Sequence, residues 1–227
     1  MKWLLGCILL LCVSVDLYAE EEKPNFVVGL GYGLLDSKSL LNLDMKINMP
    51  VNDYLTAQVL LNSNYLIIGS NSGSFAQSEF FSNWYLGNEH GRLGLGLGYS
   101  ELEPMDKDLP VDREVIGQVS GDLFIGKVSL IANIQSNNAT LSSTTSSRFG
   151  MGYYFDDNLR VSFYREKFND LPKVWRLESF YQPPKYHDLA SIGVILRTNE
   201  EYDYLGVMLQ YFFDYKVSLK TRERRYY

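Results

Sequence analysis

Leu41 to Met49 reads L-N-L-D-M-K-I-N-M: every second residue is apolar, and each residue between them is polar or charged. Successive side chains of a strand point to opposite faces, so this stretch has one apolar face and one wet face. The pattern returns at Leu93, Leu95, Leu97 and Tyr99, interleaved with Gly94, Gly96 and Gly98. It returns again at Leu205, Val207, Leu209, Tyr211 and Phe213, with Gly206, Met208, Gln210 and Phe212 between. Alternating strands of about 9–11 residues, repeated with turns between them, point to a transmembrane antiparallel β-barrel. The fold class expected is therefore all-β.

The N-terminal segment reads as targeting rather than structure. Lys2 supplies a positive start, Trp3 to Val15 is almost wholly apolar, and Leu17-Tyr18-Ala19 places a small residue before a cut. Glu20-Glu21-Glu22 follows at once, and the apolar run is too short to span a membrane as a helix. Residues 1–19 are thus expected to be a cleaved signal peptide. A lipoprotein reading of Leu4-Leu5-Gly6-Cys7 leaves almost no hydrophobic region ahead of the cysteine. Cys7 and Cys12 are the protein's two cysteines and both lie here, which excludes a disulfide framework, a thiolate metal site or a cysteine nucleophile beyond residue 19.

Nowhere after residue 19 does an apolar run approach the roughly 18 residues of a membrane-spanning helix. The formal net charge is −6, with acids and bases scattered rather than blocked, so no nucleic-acid partner is expected. Aromatics form 14% of the chain and include 17 Tyr, a residue that barrels collect at both membrane interfaces.

Twelve strands are predicted after the signal. The first six are Phe26–Leu35, Leu40–Pro50, Tyr54–Ile68, Ser78–Leu86, Arg92–Glu101 and Arg113–Ile125. The second six are Lys127–Gln135, Ser147–Phe155, Leu159–Glu166, Val174–Gln182, Leu189–Arg197 and Tyr204–Phe213. An alternative count of fourteen arises if Tyr54–Ile68 splits near Asn62-Ser63-Asn64 and Val217–Thr221 adds a strand. The connections sort by parity. Even-numbered ones are short (Val51-Asn52-Asp53, Gly87–Gly91, Gly126, Asp156-Asp157-Asn158, Pro183–Asp188) and several carry the Asn, Asp, Gly or Pro of tight turns. Odd-numbered ones tend to be longer: Gly69–Gln77, Leu102–Asp112, Ser136–Ser146 and Lys167–Lys173. Short turns at one rim and long loops at the other is the layout of outer-membrane barrels, with the short turns periplasmic.

Assigning the apolar face to lipid places Phe26, Val28, Leu30 and Tyr32 outward, with Val128, Leu130, Ala132 and Ile134, and Phe149, Met151, Tyr153 and Phe155. The lumen then receives Asn42, Asp44, Lys46, Thr56, Gln58, Asn83, Gln118, Asp122, Asn133 and Gln135. A soluble barrel reverses this arrangement, and alternation alone does not separate the two. Aromatic strand ends at Trp84, Tyr85, Tyr99, Tyr153, Tyr211 and Phe213 favour the membrane, as does the segregation of loop lengths.

Leu205–Phe213 resembles the C-terminal sorting signal of Gram-negative outer membrane β-barrel proteins, a strand of alternating apolar residues that ends in an aromatic. Phe213 would be the terminal aromatic, preceded by Tyr211, Leu209 and Val207, with Gly206 as the upstream glycine. The resemblance implies residence in the cell outer membrane, among lipid and lipopolysaccharide. It also implies recognition by the barrel assembly machinery, which pairs this strand with the first. The chain departs from the pattern in that Asp214–Tyr227 follows the signal, including Arg222, Arg224 and Arg225. The domains expected are signal peptide 1–19, barrel 20–213 and periplasmic C-terminal tail 214–227. Narrow twelve-stranded channels for acidic oligosaccharides are similar in length and layout, although no diagnostic motif of theirs is matched.

The resemblance also bears on catalysis, because barrel enzymes of that class use His with Ser, Asp or Glu near the outward rim. His90 and His187 fall in short turns at the opposite rim, so no enzyme, catalytic residue or cofactor is expected. Glu103, Asp106 and Asp108 share one external loop, where divalent cations bridging lipopolysaccharide are the functional reading and a solvated acidic loop the plain one. No metal held within the protein is expected. The glycines alternating in Gly94–Gly98 lie inside a strand and leave room for larger inward neighbours.

Charges on the lumen face carry the functional expectation. Arg92, Arg148, Arg160, Arg176 and Arg197 point inward, as do Asp44, Glu79, Glu114, Asp122, Glu166 and Glu178. Charges in a narrow interior must be paired or wet. Either they line an aqueous path that selects ions, or they neutralise one another and close it. The preferred expectation is a narrow passive channel for small polar or charged solutes. Its selectivity candidates are Arg92, Arg148, Arg160, Arg176 and Arg197, opposed by Glu79, Glu114 and Glu178. The alternative is a non-conducting structural or interaction barrel that acts through its external loops.

Overall fold

A computed structural model describes residues 24–36, 38–67, 74–106, 108, 110–137, 144–168, 172–186, 188–213 and 217–226. Twelve antiparallel strands close into one barrel. They are β1 (Asn25–Leu35), β2 (Lys38–Pro50), β3 (Leu55–Ile67), β4 (Phe75–Asn88), β5 (Gly91–Pro104) and β6 (Asp112–Ile125). The remainder are β7 (Val128–Asn137), β8 (Thr144–Asp156), β9 (Leu159–Phe168), β10 (Val174–Tyr181), β11 (Ala190–Thr198) and β12 (Asp203–Phe212). Each strand pairs with its neighbours in sequence, and β1 pairs with β12 from Val27↔Phe212 to Leu35↔Tyr204. The sheet therefore has no free edge.

All twelve expected strands are present, and the alternative count of fourteen is corrected. The β2–β3 ladder runs without a break from Pro50↔Thr56 to Ser39↔Ile67, so β3 does not split at its Asn62-Ser63-Asn64 segment. Residues from Leu219 form no strand; Leu219–Tyr226 are a helix, α1. The structure also extends β4 and β5 beyond their expected ends, to 14 residues each, because Phe75–Gln77 and Leu102–Pro104 pair with one another.

The period-2 pattern decides which side chains meet which medium. On β5, Leu93, Leu95 and Leu97 are 68%, 65% and 63% exposed, whereas the inward Phe81 of β4 and Tyr154 of β8 are buried. Phe26, Leu30, Tyr32, Phe149, Met151, Tyr153 and Phe155, all assigned to lipid, are exposed likewise. An apolar surface wrapping every strand far exceeds the few hundred Å² that soluble monomers expose. It matches a bilayer, where a closed barrel also satisfies every ladder hydrogen bond internally. Aromatics gather at the strand ends: Tyr153 meets Phe155, and Tyr211 meets Phe213, edge to face with centroids 5.0 and 4.8 Å apart.

Turn chemistry is local and visible. In the β2–β3 turn the Asn52 side chain accepts hydrogen bonds from the amides of Tyr54 and Leu55, each at 2.9 Å. Asn88 does the same for His90 and Gly91 between β4 and β5. Between β6 and β7, Gly126 has φ +55°, a left-handed conformation that a side chain would strain. These short turns share one rim with Asn25 and Phe212, the start and end of the barrel strands; this rim is periplasmic in barrels of this type.

Inward glycines on β5 make room for β4. A β-carbon at Gly98 would stand 2.5 Å from Phe81 Cδ1 and 2.7 Å from the Phe80 carbonyl oxygen. At the outward Gly121 the nearest atom would be 3.4 Å away. Gly98→Val is therefore expected to destabilise the refolded barrel by about 1–3 kcal/mol through overpacking. Gly121→Ala should stay within about 0.5 kcal/mol of the parent. Urea unfolding followed by tryptophan fluorescence checks both, and equal midpoints for the three proteins would contradict the packing described.

Candidate functional site

The lumen has two unlike walls, six strands apart around the barrel. On β8 to β11 the inward positions include Arg148, Arg160, Arg176 and Arg197, with Glu166 and Glu178 among them. Adjacent strands bring inward residues side by side: Arg148 stands opposite Glu166, whereas Arg176 stands opposite Arg197, and the two carboxylates reach the other guanidinium groups diagonally. Glu166 is the hub of this wall. Its Oε1 accepts from Arg148 Nε at 2.7 Å and from Arg176 Nη1 at 3.3 Å, and its Oε2 lies 3.7 Å from Arg197 Nε. Glu178 receives Arg160 Nη2 at 3.3 Å and also contacts Arg176. Rings underlie the guanidinium groups: Tyr164 lies beneath Arg148 and Arg176, Phe180 beneath Arg160, and Tyr204 beneath Arg197.

Glu166 is 1% exposed at its side chain, yet Arg148 and Arg197 keep 39% and 31% of theirs open. Their contacts to Glu166 therefore leave these two arginines facing the lumen water, whereas Arg160 and Arg176 are held inside the network. On the neighbouring arc, Arg92 Nε meets Asp122 at 2.5 Å, with Tyr85 and Phe124 alongside its guanidinium.

The facing wall, on β2 to β4, is a ladder of amides. Asn42 donates to Asn64 at 2.8 Å, Asn64 to Asn62 at 2.7 Å, and Asn62 to Asp44 at 2.5 Å. Nearer the short-turn rim, Asn83 donates to Gln58 at 3.0 Å and Gln58 to Asn48 at 2.7 Å. Glu79 is held by Gln77 at 3.1 Å, and Glu114 faces inward from β6 beside Ser100. The selectivity candidates thus all point inward, and the structure draws Arg148, Arg160, Arg176, Arg197 and Glu178 into one network. Arg92 pairs separately, and Glu79 and Glu114 stand outside the network.

Between the walls lies a cavity of about 300 Å³, bordered by Asp44 and Lys46 on one side and by Arg148, Arg160, Arg176 and Glu178 on the other. Its floor is α1. From residue 217 the chain lies in the mouth of the barrel at the short-turn rim. The carbonyl of Val217 accepts from Gln182 Nε2 at 2.7 Å, and the amide of Leu219 donates to Asn158 Oδ1 at 3.1 Å. Leu219 itself packs with Phe180 and Ile195. Arg222 is fully buried over the Phe212 ring, 3.9 Å from its centroid. Glu223 reaches Arg160 Nη1 at 2.5 Å and accepts from the Tyr154 hydroxyl, while its backbone carbonyl accepts from Arg92 Nη1 at 3.2 Å. Arg224 donates to the Val128 carbonyl at 3.2 Å.

Sequence reasoning placed neither Glu223 nor Tyr154 among the site residues. The available signals were a strand motif that ends before the chain does, and Leu219, Arg222 and Glu223 at the i, i+3, i+4 spacing of one helix face. Beside α1, a second cavity of about 480 Å³ opens to the rim between the helix and the ends of β3 and β4, and Arg92 borders both cavities.

The remaining expectations are simply located. Leu209, Tyr211 and Phe213 project outward at the end of β12, Gly206 lies beneath the Tyr204 ring, and the Phe213 amide donates to the Phe26 carbonyl at 3.0 Å. The motif that resembles a sorting signal is therefore the closing strand. His90 is exposed in the β4–β5 turn, 3.6 Å from Glu89, and His187 lies outside the described residues. In the acidic loop Asp106 accepts from the Asp108 amide at 3.2 Å. Among the described residues, no three His, Cys, Asp or Glu side chains group as a metal would require.

No protein-family model matches the chain, and no curated protein is similar to it in sequence. Solved structures are similar in fold. The KdgM porin superposes with a TM-score of 0.62 at 9% identity, covering 83% of this chain and 99% of that one. The same porin in complex with disordered oligogalacturonate gives 0.61 at 10% identity with the same coverage. Omp33, an outer membrane protein of Acinetobacter baumannii, gives 0.54 at 10% identity over 83% of this chain and 98% of that one. Outer membrane phospholipase A of Escherichia coli gives 0.53 at 10% identity over 87% and 93%. At such identities the likeness is one of fold: this chain is built as outer membrane β-barrels are, and its apolar exterior is suited to that membrane.

The hub carboxylate sets an expectation for stability. Removing the charge of Glu166 leaves Arg148, Arg176 and Arg197 crowded without it, and breaking a buried pair of this kind costs about 3–5 kcal/mol. Glu166→Gln should lower the urea midpoint accordingly, while Glu114→Gln should stay within about 0.5 kcal/mol of the parent. Comparable midpoints for the two variants would show that Glu166 does not organise the wall.

Proposed function

We propose that the protein is a narrow passive channel of the outer membrane for small polar or charged solutes, with a preference for anions. The observation that carries this reading is the arginine wall. Four guanidinium groups share two carboxylates on β8 to β11, leaving the wall net positive toward the cavity. Asp44 and the amide ladder face it, so a solute entering the cavity meets a field directed across the path. Arg148 and Arg197, the most open members, are the residues that an anion in the lumen water reaches first. The KdgM porin, similar in fold, has been captured with oligogalacturonate, which makes anionic sugars the first solutes to test here. Lipid and lipopolysaccharide surround the apolar exterior in this reading, and the assembly machinery recognises β12. We assign no catalytic role to any residue.

A second reading, a non-conducting interaction barrel working through Leu102–Asp112 and Ser136–Ser146, is favoured by one observation: α1 sits in the periplasmic mouth. Single-channel recording of the refolded protein in a planar bilayer separates the two. Discrete openings with an anion-leaning reversal potential under a salt gradient support the channel, and a folded, heat-modifiable barrel that stays silent supports the interaction barrel. In the channel reading, Arg148→Glu with Arg197→Glu should shift the anion-to-cation permeability ratio toward cations by about tenfold, the effect of ~1.4 kcal/mol at the wall. An unchanged reversal potential would sink the assignment of these arginines.

A further inference from the structure

The contacts of α1 differ in kind from those of the strands. One apolar side chain, Leu219, is planted in a cluster with Phe180 and Ile195; the other contacts that fix the helix are hydrogen bonds, ion pairs and guanidinium groups over rings. Charge-assisted contacts of this sort are made to an acceptor rather than to a shape, so a second anion that offers the same oxygens competes for them. An eight-residue helix is marginal by itself in water, so α1 keeps its shape through docking. It is also held asymmetrically. Its hydrogen bonds and ring contacts run to β5 to β12 and it also lies near β2, whereas the 480 Å³ cavity separates it from the ends of β3 and β4.

At the centre of this docking is a carboxylate. Glu223 presents its two oxygens to Arg160 Nη1 and the Tyr154 hydroxyl, and Arg92 binds the carbonyl of the same residue. These donors border the cavity that the arginine wall lines, and a solute carboxylate offers Arg160 and Tyr154 the same pair of acceptor oxygens, with Arg92 beside them. We propose that Arg160, Tyr154 and Arg92 form a carboxylate-receiving site at the inner mouth of the lumen, that Glu223 fills it in the resting protein, and that α1 is a plug which carboxylate-bearing solutes displace. The proposal rests on the channel reading above. When α1 leaves, Arg160 keeps Glu178 and Arg92 keeps Asp122, but the guanidinium nitrogens that Glu223 occupied open to the path, and the two cavities that Arg92 borders join into one passage.

The full-length protein tests this directly. The Lys220 amide donates to the Asp157 carbonyl at 2.9 Å, so Asp157→Cys with Lys220→Cys places two thiols where a disulfide can fasten α1 to the β8–β9 turn. The native cysteines, Cys7 and Cys12, lie in the segment read as a signal peptide. Conductance is recorded in potassium gluconate, a monocarboxylate, before and after reduction of the same sample. The oxidised protein should conduct about tenfold less than the reduced one, the population change that ~1.4 kcal/mol produces. Glu223→Gln, which keeps the helix but removes the carboxylate, should raise conductance in potassium chloride and abolish any further increase on changing to gluconate. Equal conductance in the oxidised and reduced protein would overturn the plug while leaving the channel standing, since solutes would then pass beside a fixed α1. A Glu223→Gln protein indistinguishable from the parent in both salts would overturn the role of the carboxylate. Silence of every form would overturn the channel and the plug together.

Discussion

A strand in hydrocarbon has no water to satisfy its amides and carbonyls, so every one of them must be paired within the protein. The β1–β12 ladder meets that constraint. Without the nine pairs from Val27↔Phe212 to Leu35↔Tyr204, two strand edges would face lipid, and the barrel would open. Much else follows from this closure. It turns a sheet with one apolar and one polar face into a cylinder, with the apolar face on lipid and the polar face around a lumen. It also places the end of β12 beside the start of β1 at the short-turn rim, which is where α1 then docks.

Closure creates a second problem, because polar side chains that would be solvated on an open sheet are forced together inside. The two walls solve it differently. On β2 to β4, Asn and Gln side chains satisfy one another in a ladder, which needs no charge. On β8 to β11, arginines are balanced by fewer carboxylates, and Glu166 is shared among three of them. The ladder makes a wall that is polar but nearly neutral, and the shared hub makes one that is fixed in place and positive. A lumen built from both is a directed environment rather than a plain aqueous hole.

Charge balance also explains why α1 belongs to the barrel. Glu223 adds a carboxylate beside Arg160 and Arg92, on the side where the wall has too few, while Arg222 stacks on Phe212 and Arg224 reaches the Val128 carbonyl. The helix is polar almost all round, and it docks by meeting donors and rings that the strands already present rather than by burying an apolar stripe.

From the sequence alone, the period of 2 in stretches such as Leu41–Met49, Leu93–Tyr99 and Leu205–Phe213 determined strands with an apolar and a polar face, and the same parity put Arg92, Arg148, Arg160, Arg176 and Arg197 on the polar one, because side-chain parity along a strand is a local property; which face meets lipid came from aromatic strand ends and loop lengths. Turn residues such as Asn52, Asn88 and Gly126 were legible for the same reason: their chemistry acts over three or four residues. Which carboxylate each arginine meets was not legible, since Arg148–Glu166 and Arg176–Glu166 depend on the register of three strands at once. Nor was the fate of Leu219–Tyr226. The i, i+3, i+4 spacing of Leu219, Arg222 and Glu223 allows a helix face but does not say what it docks on, because its partners come from turns and strands as distant in sequence as Arg92 and Phe212. Only the closed barrel brings those groups to one mouth, and only there does an eight-residue helix gain enough contacts to hold its shape.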